Sequence, residues 1–300
     1  MSILLSNIII GKMNLQMLNE QKQIKLFVKA LSYVKQLSCK TIVVKYGGAA
    51  MLNKSLKYHV INDLVFLSSI GLQPILIHGG GPAINHWLER LNIKPTFHNG
   101  VRVTDSSTMQ IVEMVLAGTI NKELVMLVNT NGGCAVGLSG KDGSLVLAES
   151  LNVQTFGFVG NILSINTKLL SLLLKNSYIP IIASISYDRS GYTYNINADI
   201  LAGRIATALN AEKLIFLTDT PGILLDTNNT SSLIKTLNTN LVYELQKKGV
   251  ISGGMIPKVH SCINAIKYGV KSAHIIDGRV EHSLLSTVLT ANCYGSTLVR

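Results

Sequence analysis

The residues able to do chemistry gather at a few places, and they are cationic or glycine-rich rather than nucleophilic. Lys45 closes the apolar run Thr41-Ile-Val-Val-Lys45 and precedes Tyr46, Gly47 and Gly48. His78 closes a second apolar run and leads into Gly79-Gly80-Gly81-Pro82. Where glycines join a strand to a helix, backbone N–H groups and the helix dipole face an anion with no Cβ in the way. A tight turn would use the same residues, but two such loops in consecutive units, one of them a triple glycine, favour anion binding. Lys45 adds an ammonium where phosphoryl oxygens would sit, the alternative being a lysine that snorkels at a strand end. Lys258 follows Gly253-Gly-Met-Ile-Pro257 and enters an apolar-periodic helix from Val259 to Tyr268, a second cation near a helix start. Asn195-Ile-Asn-Ala-Asp199 opens a helix running through Leu209, so Asn197 or Asp199 serves either as its N-cap or as a site group. Arg102, in Asn99-Gly-Val-Arg-Val-Thr-Asp105, offers a two-pronged donor to a carboxylate, with a surface salt bridge as the alternative.

Other chemistries lack their residues. No G-x-G-x-x-G follows a strand, and Gly140-Lys141 fails as a P-loop because Ala135 stands where the first glycine belongs and Asp142 replaces Ser or Thr. Cys39, Cys134, Cys262 and Cys293 are widely separated with no C-x-x-C pair, and the histidines show no ligand spacing. Neither a disulfide framework nor a metal centre built from the chain's own side chains is expected, and a reducing compartment is.

The elements that position these groups follow from periodicity. Gln21 to Leu37 carries Ile24, Phe27, Ala30, Leu31, Val34 and Leu37 at helical spacing, an amphipathic helix ahead of the first strand. Strand, glycine loop and helix then alternate: Thr41–Lys45, a helix over Val60–Ile70, Pro74–His78, a helix through Leu91. In the second half Lys213–Leu217 ends at Thr218-Asp219, with a turn at Pro221-Gly222, and Ser272–Ile276 ends at Asp277-Gly278. Leu169 to Ile185 reads as a helix followed by a buried strand, and Tyr187 to Tyr194 as a turn or hairpin. This alternation predicts an α/β fold on a central, mostly parallel sheet, in two lobes that share it. Ligands of such sheets sit beyond the carboxyl ends of the strands, where the groups above accumulate.

Composition bounds the partners. Of 300 residues, 47% are hydrophobic and only 14% charged, enough for a large core and too apolar for disorder. The formal charge of +11 suits anionic ligands, but the lysines are scattered without a run of five, which reads as a solvated surface and not as a nucleic-acid interface. The heavy use of Ile, Asn and Lys is that of an AT-rich genome, an organelle or certain bacteria. Residues Ile3 to Ile10 are short and lack a basic lead, so no secretory peptide is expected, and no stretch reads as a membrane span.

Taken in order, Lys45-Tyr-Gly-Gly48, His78-Gly-Gly-Gly-Pro82, Gly100-Val-Arg-Val-Thr-Asp105, Asn195-Ile-Asn-Ala-Asp199 and Gly253-Gly-Met-Ile-Pro-Lys258 resemble the amino-acid kinase family, over nearly the whole chain from Gln21. Glu113–Glu123 and Val136–Asp142 extend the likeness. The resemblance implies an open αβα sandwich, with residues 1–37 as an extension and oligomerisation helix. Residues 38–200 would form a lobe for the acyl amino acid, and residues 201–300 a lobe for ATP. It implies phosphorylation of the γ-carboxylate of N-acetyl-L-glutamate in arginine biosynthesis, with Mg²⁺ bridging the nucleotide phosphates. Lys45 and Lys258 would stabilise the moving phosphoryl group, and Asp199 would hold both lysines. Gly80, Gly81, Arg102 and Asn195 would bind the acetylated substrate, while Gly47, Gly48, Thr218, Asp219 and Gly222 would lie near the nucleotide. A carboxylate nucleophile of pKa ~4.3 is already ionised at neutral pH, so no general base is required.

The N-terminal helix resembles one that interlaces dimers into a ring-shaped homohexamer in arginine-inhibited members. Thr287 stands where those members carry a glutamate, and a threonine cannot pair with a cationic effector. Photosynthetic members also bind a PII signal protein, and the likeness to cyanobacterial and algal members implies the plastid stroma, otherwise a bacterial cytoplasm. Two other readings are a family kinase with a different acceptor and a non-catalytic nucleotide-binding module; Gly-Val-Arg-Val-Thr-Asp105 argues against the first, and retention of Lys45, Asp199 and Lys258 together against the second.

Overall fold

A computed structural model describes residues 24, 28, 34–51, 53–290 and 293–300. The chain divides into residues 1–38 and 39–300. In the first unit Ile24, Val28 and residues 34–37 are helical, as the amphipathic pattern predicts; the remainder of the expected Gln21–Leu37 helix lies outside the described residues.

The second unit runs β1 (Thr41–Tyr46), α1 (Lys54–Ser69), β2 (Gln73–His78), α2 (Gly81–Arg90), β3 (Phe97–His98), β4 (Val101–Arg102) and α3 (Ser106–Glu113). A π-helical stretch, Met114–Ile120, joins α3 to α4 (Asn121–Thr130). There follow β5 (Ala135–Ser139), β6 (Val146–Ser150), α5 (Val153–Phe156), β7 (Gly160–Ile165), α6 (Lys168–Lys175), β8 (Ile179–Ala183), β9 (Ile185–Tyr187) and β10 (Thr193–Asn195). The chain continues through α7 (Ala198–Ala208), β11 (Lys213–Thr218), β12 (Thr236–Leu237), α8 (Thr239–Lys247), α9 (Met255–Lys267), β13 (Ser272–Asp277), α10 (Ser283–Leu289) and β14 (Gly295–Leu298).

One eight-stranded sheet, ordered β12-β14-β13-β11-β1-β2-β8-β5, runs through both halves of this unit, and its pairs are parallel except β13 with β14. The α/β expectation and the single shared sheet are borne out. The central strands are apolar throughout because both faces are covered: α1 packs with α4 and α10, while α7 packs with α9. Val43, Ile75, Ile77, Ile182, Phe216 and Ile275 are buried in the shared core. Fully burying such a side chain is worth about 1.5–3 kcal/mol. A smaller sheet, β10-β9-β6-β7, stands beside the first, and its antiparallel β9/β10 pair is the hairpin expected over Tyr187–Tyr194.

The register aligns the strand ends that carry chemistry. Lys45 pairs with Ile77 on one side and Phe216 on the other, Tyr46 faces His78, and Thr218 faces Asp277. The loops after β1, β2, β11 and β13 therefore open at one edge of the sheet. Two helices begin earlier than the pattern places them: α1 at Lys54 instead of Val60, where Asn53 caps it, and α9 at Met255 instead of Val259, so Pro257 sits inside its first turn. A proline is tolerated there because the amides of a first turn have no intrahelical acceptor to lose.

Candidate active site

At that edge a single carboxylate holds two lysines. The Lys45 ammonium lies 2.9 Å from Asp199 Oδ1, and Lys258 Nζ donates to Asp199 Oδ2 at 2.7 Å. Three distant segments are involved, the end of β1, the first turn of α7 and the first turn of α9. The sequence left open whether Asn197 or Asp199 caps α7, and the fold divides the labour. Asn197 is the N-cap, its side chain accepting from the amides of Asp199 and Ile200, which leaves the Asp199 carboxylate for the lysines. Lys45 and Asp199 are both buried, so Lys45 does not snorkel to solvent.

Burial pushes the Lys45 ammonium below its ordinary pKa, with Asp199 opposing and Lys258 adding to the effect. Burial alone would raise the Asp199 carboxyl, but the two ammonium groups overcome it and hold it below the usual carboxylate range. The triad is thus two cations on one anion, with one positive charge in excess. A Cβ on Gly47 would come to 2.9 Å from Lys45 Nζ and press the ammonium away from its place on Asp199. Gly48 adopts a left-handed conformation, φ 74°, and faces the exposed Asp219.

Arg102 occupies a second pole. Its guanidinium is buried, lies 4.7 Å from the centre of the Phe97 ring, and donates through Nη2 to Asn85 Oδ1 at 2.6 Å and to the Gly81 carbonyl at 3.4 Å. Among the described residues no carboxylate pairs with it, and its buried Nη1 has no partner. A surface salt bridge is therefore not its role. A buried, half-satisfied guanidinium costs free energy until an anion arrives, and its fork suits a carboxylate. Asn195 reaches the same pole through Thr104: Asn195 Nδ2 donates to Thr104 Oγ1 at 3.4 Å, and that hydroxyl donates to the Arg102 carbonyl at 3.0 Å.

The loop after β2 belongs to the Arg102 pole, through the bond to the Gly81 carbonyl. Gly80 packs so closely on Leu116 and Ile120 of the π-helical stretch that a Cβ would collide with both, whereas Gly81 is open. A cavity of about 100 Å³ sits beside Gly48 and Gly80, with the ion-paired Lys57 and Glu123 on its wall. Lys45, Asp199, Lys258, Gly47 and Gly48 are thus gathered at one pole, and Gly80, Gly81, Arg102 and Asn195 at the other. Thr218 and Gly222 serve the local turn. The Thr218 hydroxyl donates to the carbonyls of Thr220 and Ile276, and Gly222 packs on Leu233 and Ser296.

Sequence reasoning gave no role to His78 or Asn121. His78 is fully buried, with Nδ1 at 3.1 Å from the Gly79 carbonyl and Nε2 at 3.1 Å from Asn121 Nδ2. Asn121 also donates to the Ile181 carbonyl at 2.8 Å. These partners assign a neutral ring protonated on Nδ1, consistent with a pKa that burial pushes down to about 4. The pair ties the glycine loop to β8. No local pattern announces such a contact, since the two residues are 43 positions apart.

The sequence pattern of the amino acid kinase family matches residues 40–277. The chain belongs to that family. Relatives within it include the acetylglutamate kinase of Pyropia yezoensis, 56% identical over 94% of this chain and 100% of its own length. That of Thermosynechococcus vestitus is 52% identical over 94% and 96%. Among solved structures, a Streptococcus mutans protein, smu.665, superimposes with a TM-score of 0.73 at 30% identity, covering 86% of this chain and 98% of its own. The carbamate kinase of Giardia lamblia shares the amino acid kinase fold at 18% identity, with a TM-score of 0.64 over 88% of this chain and 99% of its own.

Proposed function

We propose that this family member is a kinase that transfers the γ-phosphoryl group of ATP to the γ-carboxylate of N-acetyl-L-glutamate, in arginine biosynthesis. The Asp199-centred lysine pair at the sheet edge, together with the buried, half-satisfied Arg102 bonded to the glycine loop after β2, carries the reading. The ionised γ-carboxylate attacks the γ-phosphorus, the bond to the bridging oxygen of ADP breaks, and an acyl phosphate forms. Arg102 and Asn195 bind the acetylated substrate through its other polar groups, and the amides of Gly80 and Gly81 orient the reacting end. Lys45 and Lys258 neutralise charge on the phosphoryl oxygens, and Asp199 positions both.

Mg²⁺ accompanies the nucleotide and neutralises its phosphate charge. The donors present fit it: both Asp199 oxygens are occupied by lysines, while the exposed Asp219 beside Gly48 would offer its carboxylate oxygens to the ion. Residues 38–200 and 201–300 serve as the acyl-amino-acid and nucleotide lobes. The N-terminal helix joins dimers into a homohexamer, a reading supported by the exposed Ile24 on it. Two of the relatives are red algal and cyanobacterial proteins, which supports a plastid stromal enzyme open to a PII partner. Among the described residues no helix is long and apolar enough to cross a membrane. Thr287 bonds within α10 and its carbonyl accepts from Lys213 at 3.0 Å, so that position presents no acidic group to an arginine effector.

Incubation with Mg-ATP and hydroxylamine, with either N-acetyl-L-glutamate or free L-glutamate, tests the reaction. Hydroxamate with the acetylated substrate alone is the expected result. Product with free glutamate instead, or with neither from folded protein, overturns it.

A further inference from the structure

Outside the phosphoryl-transfer site, the fold brings together two histidines that are more than two hundred residues apart. His59 lies on α1, and Glu281 and His282 immediately precede α10. His59 Nδ1 is 3.2 Å from Glu281 Oε1, and His282 Nε2 is 3.6 Å from the same oxygen. One ligand atom from each residue falls in a cluster no wider than 4.8 Å. We propose that His59, Glu281 and His282 form a zinc site that staples α1 to the segment leading into α10.

Tetrahedral zinc with bonds of about 2.0–2.1 Å places its ligand atoms about 3.3 Å apart, close to both distances seen here. The donor set, two imidazole nitrogens and one carboxylate oxygen, suits Zn²⁺ and leaves a fourth position for water. Hard Mg²⁺ takes oxygen donors instead.

The support behind the cluster is what sets it apart from a surface ion pair. His282 Nδ1 bonds the carboxylate of Asp63 at 2.6 Å, and Asp63 is buried in α1. A carboxylate on the far nitrogen of a ligating histidine fixes its tautomer and aims the other nitrogen at the metal. Here it aims Nε2 toward Glu281 and His59. His282 is also held in a left-handed conformation, φ 55° and ψ 21°, which a non-glycine residue adopts at a cost and which its contact with Asp63 helps sustain. On the opposite side the His59 ring has Nε2 near Ser55 Oγ at 3.5 Å, leaving Nδ1 for the cluster. With neutral rings, the charges of Glu281 and Asp63 balance one divalent ion.

The test is a titration of the chelator-treated full-length chain with ZnCl₂ against a chromophoric zinc indicator, repeated with Co²⁺ followed by visible absorption. The wild type is expected to bind one equivalent, with Co²⁺ bands typical of low coordination number. The variants His59→Ala, at a half-buried position, and Glu281→Gln, at an exposed one, should each weaken binding more than about 10-fold and remove those bands, and Asp63→Asn should weaken it by about 10- to 100-fold. Glu281→Gln alters only an exposed side chain and His59→Ala removes a half-buried one, so circular dichroism should report an unchanged fold, with Glu281→Gln as the control. Absence of a saturable wild-type site overturns the proposal. So does zinc binding that His59→Ala and Glu281→Gln leave intact, which would place the ion on the cysteines.

Discussion

Replacing Lys45 by alanine tests the proposed mechanism most sharply. The ammonium is buried, 2.9 Å from Asp199, and closes the strand end nearest the glycine loop. On the proposed mechanism two lysines share the task of neutralising the phosphoryl oxygens, so removing one leaves Lys258 paired to Asp199 and the surplus positive charge gone. Loss of one preorganised electrostatic stabiliser typically costs about 10²–10³ in kcat, or about 3–4 kcal/mol. Stability should change less. Asp199 keeps its hydrogen bond from Lys258, and an under-satisfied buried oxygen costs about 1–3 kcal/mol. Lys45→Met, which keeps most of the side-chain volume, should restore part of the lost stability and none of the rate. Hydroxamate formation at saturating Mg-ATP and N-acetyl-L-glutamate gives kcat, and urea unfolding gives stability. A second cycle with Lys258→Ala should be far from additive, because both lysines act through one carboxylate. The reasoning is refuted if kcat is unchanged and only KM rises, since Lys45 would then bind ground and transition states alike.

Further outcomes follow from other contacts. Arg102→Ala should lower kcat/KM for the acetylated substrate by roughly 10- to 100-fold while the KM for ATP holds, and Arg102→Lys should recover little because a point charge cannot replace the fork; initial-rate kinetics separate the two substrates. Gly80→Ala forces a methyl into Leu116 and Ile120, so a loss of about 1–3 kcal/mol in stability and a raised KM for the acetylated substrate are expected from melting curves and kinetics. His78 has its folded pKa pushed down to about 4 from 6.5, so the unfolded chain binds more protons between those values. Stability from this group is full above pH 6.5 and is lost as pH falls toward 4, by about 3 kcal/mol in all. Urea midpoints at pH 7, 5.5 and 4 should show that decline, with a smaller slope in His78→Asn.

What was legible in the sequence was whatever chemistry has a local signature. Lys45 and the loops at Gly47 and Gly79–Gly81 were readable because strand, glycine and helix follow one another without interruption. The capping alternative at Asn197 and Asp199 was irreducible from spacing alone, since both residues suit a helix start, and only the arrival of α9 decides which carboxyl or amide is spent on the backbone. The π-helical turn under Gly80 has no compositional mark, and Met114–Ile120 reads as ordinary helix. His78 with Asn121, and His59 with His282, are joined by the packing of distant elements, which no periodicity encodes. Pro257 reads as part of the loop before a helix starting at Val259, yet the helix begins four positions earlier, at Met255, because a proline fits a first turn as well as a loop.

The carboxylate shared by Lys45 and Lys258 also bears on how the enzyme lets go. When ADP and the acyl phosphate leave, the two ammonium groups do not return to bare solvation in a buried site. They fall back on an anion already in place, so the cost of separating cation from phosphate is partly recovered as each ion pair to Asp199 re-forms. Product affinity is thereby capped without weakening the charge offered to the transition state. On the role proposed for Asp199, a variant with a neutral residue there is expected to trade turnover for retention of bound anions.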